Sequence, residues 1–213
     1  MYIPEHFRLR NDTDALAFMR ANPFAILISS TEEGPFATHL PLFVLQKEEM
    51  VFLHGHVAKA NPHWHYLERQ TQCLTIFHGP HAYVSPSNYS ARESVPTWNY
   101  AAVHVYGNPR IFSSPQEVQE MLGELVATFE SAYRSQWESL SPTFRENMLR
   151  QIVGFEIAAT GIEAKFKLSQ NRTRDDQARV IASLEKSDDS AIAGVARMMK
   201  EQKLGVIRDK GGK

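Results

Sequence analysis

The stretch from Val95 to Tyr106 constrains this chain most. Val95, Thr97, Ala101, Val103 and Val105 fall at odd positions, while Trp98, Tyr100, His104 and Tyr106 fall at even ones. A period of two sends successive side chains to opposite faces of a β-strand, so this segment reads as one strand with a small aliphatic face and an aromatic face. The aliphatic face asks for a core. The aromatic face is too apolar to leave in water, so it asks for a cover or a partner.

Other segments share the β texture. Phe24 to Ser30, Phe36 to Leu45 and Met50 to His56 form a meander, punctuated by Glu32-Glu33-Gly34-Pro35 and by a polar turn at Gln46 to Glu49. Gln72 to Gly79 and His81 to Ser85 return to strand, and Asn108-Pro109 turns the chain into Arg110 to Phe112. In the last strand, Val153 to Leu168, Phe155, Ile157 and Ala159 occupy odd positions but Ile162, Ala164, Phe166 and Leu168 even ones. A bulge at Thr160-Gly161 would restore a single inward face. Helical spacing marks Thr13 to Ala21 behind an Asn/Asp/Thr capping cluster, His63 to Gln70, Ser113 to about Ala132, Pro142 to Gln151, Arg174 to Leu184 and Ser190 to Gln202. A Gly-rich, charged tail is expected to fray beyond them. Because the strands seldom alternate with crossover helices, the fold class is mainly β (α+β): a closed or nearly closed antiparallel barrel with peripheral helices.

Composition removes several function classes. With 23 Lys plus Arg against 24 Asp plus Glu, no overall field draws the chain to nucleic acid or to anionic lipid. The final helix pair is the one pair of a size to read DNA, but its joint, Glu185-Lys186-Ser187-Asp188-Asp189-Ser190, is acidic and lacks a turn glycine. Direct, specific DNA binding is therefore expected to be absent or weak. Cys73 stands alone, no signal peptide layout opens the chain, and no apolar run approaches the roughly eighteen residues of a membrane span. These features predict a cytoplasmic protein without a membrane partner. No Gly-x-Ser-x-Gly elbow supports a hydrolase. His54, His56, His63 and His65 invite a metal or haem, but no acidic or thiol partner sits at compatible spacing, so no metal site is expected.

Four uncommon words carry a family resemblance: Met1-Tyr2-Ile3-Pro4-Glu5-His6-Phe7, Gly55 to Trp64 (GHVAKANPHW), Val95-Pro96-Thr97-Trp98-Asn99-Tyr100, and Lys165 to Arg172 (KFKLSQNR). Thr38-His39-Leu40-Pro41 and Gly79 to Pro86 extend it, and the chain resembles the PaiB family of negative transcriptional regulators. The resemblance implies the FMN-binding split-barrel fold, a homodimer, and FMN near the barrel rim between subunits. It implies residues 1–172 as the barrel domain with inserted helices, and residues 173–213 as a helical extension packed on the barrel or on the partner subunit. The implied role is flavin binding in redox-linked regulation. The alternatives are a flavin-dependent oxidoreductase, or a haem- or ligand-binding protein on the same barrel, because one fold hosts several activities.

Flavin mononucleotide needs cations and N–H donors for its phosphate, an apolar wall for its ring and polar groups at the ring edge. Lys59 follows the strand that holds His56 and precedes a helix start at Asn61, so a cation and backbone amides meet there; in related split barrels a lysine so placed contacts the phosphate. The alternative is a solvated surface lysine. Trp98, Asn99 and Tyr100 offer stacking area and an amide, or equally a subunit interface. Lys165, Lys167, Ser169, Gln170 and Arg172 suit a phosphate or carboxylate, or else form a charged strand end that discourages aggregation.

Overall fold

The computed structural model describes residues 1–9 and 12–203. The strands are β1 (Phe24–Thr31), β2 (Gly34–Pro41), β3 (Phe43–Lys47), β4 (Met50–Ala58), β5 (Cys73–Val84), β6 (Thr97–Ile111) and β7 (Ile152–Lys167). The helices are α1 (Asp12–Ala21), α2 (His63–Arg69), α3 (Pro115–Phe129), α4 (Arg134–Ser139), α5 (Pro142–Leu149), α6 (Arg174–Leu184) and α7 (Ser190–Lys203). The strands form one sheet in the order β2-β1-β5-β6-β7-β4-β3. The described residues fall into two compact units: Pro23–Ile76 with Val105–Gly161, and those within Met1–Asn22, Phe77–His104 and Ile162–Lys213.

In the first of these units β1 pairs with β2 from Phe24↔Pro41 to Thr31↔Gly34, and β4 pairs with β3 and with β7, all antiparallel. β2 and β3, the two ends of the strand order, are joined by Leu42 alone. Leu42 is buried, as are Ala25, Leu27, Leu40, Leu53, Val57, Phe155 and Ile157 of the neighbouring strands. Burying each large aliphatic side chain of this kind contributes about 1.5–3 kcal/mol. Gly55 makes room for Leu42, because a Cβ there would lie 2.5 Å from Leu42 Cδ2.

In the other unit α1 buries Leu16, Phe18 and Met19, and the Phe18 ring packs 5.0 Å from that of Phe166 on β7. Helices α6 and α7 bury Val180, Ile181, Leu184, Val195 and Met199, and Gly194 lets α7 rest on Pro80 of β5. The amino-terminal segment docks on β7 through an antiparallel bridge from Arg8 to Lys165.

Three expectations from the sequence need correction. The strand read as Phe36 to Leu45 is two strands, because Leu42 turns inward with its N–H on Pro23 O at 2.9 Å. Asn108-Pro109 does not turn the chain: β6 runs to Ile111, since proline's fixed φ suits extended backbone wherever its missing N–H is not needed. Val95 precedes β6 and is 70% exposed, so it is not part of the inward face. The parity change in β7 is present: Phe155 and Ile157 are buried at odd positions, then Ala164, Phe166 and Leu168 at even ones. The tail expected to fray, beyond Gln202, falls outside the described residues except for Lys203, the last residue of α7.

Candidate functional site

The sequence-predicted residues fall into the two units. His56, Lys59 and Asn61 lie in the first, at the end of β4, and the structure brings Trp98, Asn99, Tyr100, Lys165, Lys167, Ser169, Gln170 and Arg172 together in the other.

Lys59 follows the last residue of β4. Its backbone is held on both sides, by its own N–H on Gln151 O at 2.8 Å and by the Trp64 indole N–H on its carbonyl at 3.0 Å. Lys59 lines a cleft of about 440 Å³ together with Phe112, Val118, Leu149, Ile152, Arg150 and Glu146, with Ser113 to Pro115 at the amino end of α3. The α3 amino end at that rim is closed by Glu117, which accepts from the N–H groups of Ser113 at 2.8 Å and Ser114 at 3.1 Å. Gly154 lines the same cleft, and a Cβ there would lie 2.8 Å from the Phe112 ring. His56 stands opposite Gly154 in the β4–β7 register. Burial pushes the His56 imidazole below the ordinary histidine range, so the ring is neutral at pH 7, and its buried Nδ1 has no partner among the described residues.

Asn61 Oδ1 accepts from His63 N–H at 3.0 Å and its Nδ2 donates to Thr38 Oγ1 at 3.3 Å, so it links the first residue of α2 to β2. His63 is sealed from water, with Nδ1 2.7 Å from Thr38 Oγ1 and Nε2 3.1 Å from Ser29 Oγ. Burial lowers its pKa from 6.5 to about 4. These three partners are far apart in sequence, which is why only the fold brings them out. The same holds for His54, whose Nε2 lies 2.8 Å from Glu156 Oε2, and for Arg110, which bridges Glu156 and the capping residue Glu117. Arg150, in the Lys59 cleft, gave no sequence signal beyond its charge.

In the other unit Asn99 is wholly buried and donates to Ser169 Oγ at 2.9 Å, while its own Oδ1 has no partner among the described residues. Ser169 takes a left-handed backbone, φ 64°, unusual for a residue with a Cβ. Gln170 closes that turn by accepting from Leu168 N–H at 2.7 Å and donating to Phe166 O. Lys165 is buried, donates to Tyr2 O at 3.1 Å and lies 5.3 Å from the centre of the Tyr100 ring. Lys167 donates to Trp98 O at 2.7 Å and to Thr97 Oγ1. The Arg172 guanidinium stacks 4.0 Å from the Tyr89 ring centre. Trp98 is 52% exposed and touches His81 and Tyr83, their ring centres 5.8 and 6.3 Å away.

The Lys59 cleft fits the phosphate end of FMN. Its lining offers two cations, Lys59 and Arg150, against one carboxylate, Glu146, and apolar side walls, at a volume typical of cofactor clefts.

The comparisons agree with the fold. Residues 1–161 match the family described as "Putative FMN-binding domain". The chain is 38% identical over 207 residues to the Protease synthase and sporulation protein PAI 2 of Bacillus subtilis, covering 95% of this chain and 98% of that protein. Among solved structures it is similar to the flavocytochrome Anf3 from Azotobacter vinelandii, with TM-score 0.58, 19% identity and coverage of 83% and 78% of the two chains. It is also similar to an FAD- and haem-binding protein from Mycobacterium smegmatis, with TM-score 0.60, 11% identity and coverage of 80% and 78%. At these identities the structural likeness establishes the split-barrel fold and nothing finer. Matched by the family model over most of its length and by PAI 2 over nearly all of it, the chain belongs to the PaiB family of split-barrel proteins, whose cofactor is FMN.

Proposed function

We propose that this chain is a homodimeric, cytoplasmic flavoprotein that holds the FMN phosphate at Lys59 and serves regulation linked to the flavin's redox state, without contacting DNA itself. The observation that carries the reading is Lys59, outside every ion pair among the described residues, on a backbone fixed by Gln151 and Trp64 and lining the cleft that Arg150 shares. A rigid backbone under a free cation lowers the ordering cost of capturing an anion. FMN supplies one- and two-electron redox chemistry. The chain's own residues bind and orient it: Lys59 and Arg150 neutralise the phosphate, while Phe112, Val118 and Leu149 keep water from the adjoining wall.

A regulatory role is supported by PAI 2, whose name ties it to protease synthesis and sporulation. The near-zero net charge favours a role without DNA contact. A reducing compartment suits the single, buried, free Cys73. The proposal is tested by fluorescence titration of the flavin-free protein with FMN and with riboflavin. FMN should bind at least tenfold tighter, since charge-assisted phosphate contacts contribute about 1.5–3 kcal/mol each. Equal affinities would remove the phosphate from the site.

A further inference from the structure

The end of β7 and the turn after it carry three cations within eight residues, Lys165, Lys167 and Arg172. Lys165 and Lys167 are two apart on one strand, so their side chains leave the same face, while Phe166 between them turns inward to Phe18. None of the three pairs with a carboxylate among the described residues. The carboxylate that shares their face, Glu163, is paired with the Met1 amino group, and Asp176 beyond the turn is taken by Ser90 and Arg179. What the cations do touch is neutral: Tyr2 O and two tyrosine rings for Lys165, Thr97 and Trp98 O for Lys167, the Tyr89 ring for Arg172.

Such an arrangement is costly without a counter-charge. Lys165 is only 9% exposed, and an ammonium has three N–H donors, of which one reaches Tyr2 O. The Lys167 ammonium is held below the ordinary lysine range, first by burial and then by the charges of Lys165 and Arg172, so the cluster is close enough for mutual repulsion. The backbone that presents it is nonetheless rigidly built. Ser169 is fixed in its left-handed conformation by Asn99 and by the Arg172 N–H on Ser169 O at 3.0 Å, and Gln170 bonds the strand end twice. The cluster also lies beyond the residues that match the FMN-binding family model, which end at 161.

We propose that Lys165, Lys167 and Arg172 form an anion site of their own, which takes the phosphate group of a small molecule other than the flavin. Three unneutralised cations suit a dianion better than a single carboxylate charge. Binding of the anion removes the repulsion inside the cluster, so the Lys167 amine regains its proton affinity when the site fills. The proposal does not rest on the Lys59 reading.

The test uses the full chain saturated with FMN and follows the Lys167 side-chain resonances by NMR while inorganic phosphate is added at constant ionic strength, with acetate and chloride as parallel arms. Phosphate is expected to give a saturable shift and to raise the apparent Lys167 pKa. Arg172→Gln should weaken that response at least fivefold and leave FMN affinity unchanged. The proposal falls if phosphate acts no differently from chloride, which would make any contact ionic atmosphere only. It falls if acetate binds as tightly as phosphate, which would make this a carboxylate site. It falls equally if phosphate displaces FMN or Arg172→Gln weakens FMN, which would make the cluster part of the flavin site.

Discussion

The imidazole Nδ1 of His63 lies 2.7 Å from Thr38 Oγ1, joining α2 to β2 within a site sealed from water. Burial holds the ring neutral with a pKa of about 4, against 6.5 for an ordinary histidine. The unfolded chain therefore binds a proton that the folded one refuses between those values, and stability drops as pH falls from about 6.5 to about 4. The contribution is at most about 3 kcal/mol, fully lost below the lower value. Urea unfolding at pH 7 and pH 4.5 checks it. His63→Gln should be less stable at pH 7 but lose less on acidification than the wild type, whereas parallel losses would show that His63 does not titrate as described.

Gly107 and Gly123 predict opposite outcomes for the same substitution. A Cβ at Gly107 would lie 2.6 Å from the backbone oxygen of Ala158 and 2.5 Å from Ile157, inside the sheet, whereas at Gly123 on α3 it meets nothing within 4 Å. Gly107→Ala should destabilise by about 1–3 kcal/mol or more through overpacking. Gly123→Ala should stabilise by about 0.5–1 kcal/mol through helix propensity. Denaturant midpoints separate the two, and a Gly107→Ala midpoint equal to the wild type's would contradict the close approach of β6 and β7.

Asn99 and Ser169 should behave as a coupled pair. Removing either partner leaves the other a buried group without its bond, at about 1–3 kcal/mol for Asn99→Ala or Ser169→Ala. The double variant should cost clearly less than the sum, a coupling that a double-mutant cycle measures directly. Additive losses would mean the bond contributes nothing to the turn.

The exposed aromatic group of Trp98, Tyr83 and His81 is the face we assign to the homodimer, because Trp98 and Tyr83 each remain 52% exposed. Sedimentation at micromolar concentration should give a dimer for the wild type and a shift toward monomer for Trp98→Glu. A monomeric wild type would remove the interface.

Much of this architecture is legible in the sequence, for a physical reason. The alternation from Thr97 to Tyr106 and the parity change between Ile157 and Ala164 are written by burial itself, so periodicity reads them directly. The inward turn at Leu42 is not, because it depends on Pro23 and Gly55, which lie elsewhere in the chain. The place of Lys59 between strand and helix is legible too, since β4 ends at Ala58 and α2 starts at His63. The bonds of Asn61 to His63 and Thr38 are not, since Thr38 lies on another strand, and the His63 and His54 networks rest on partners that no local pattern links.

The central claim, that Lys59 holds the flavin phosphate, is tested most directly by titrating wild type and Lys59→Ala with FMN and with riboflavin, using thermal melting to confirm that both fold. Loss of one or two charge-assisted bonds should weaken FMN about tenfold to a hundredfold. Riboflavin, which has no phosphate, should bind both proteins alike. Equal weakening of the two ligands, or unchanged FMN affinity in Lys59→Ala, would contradict the account.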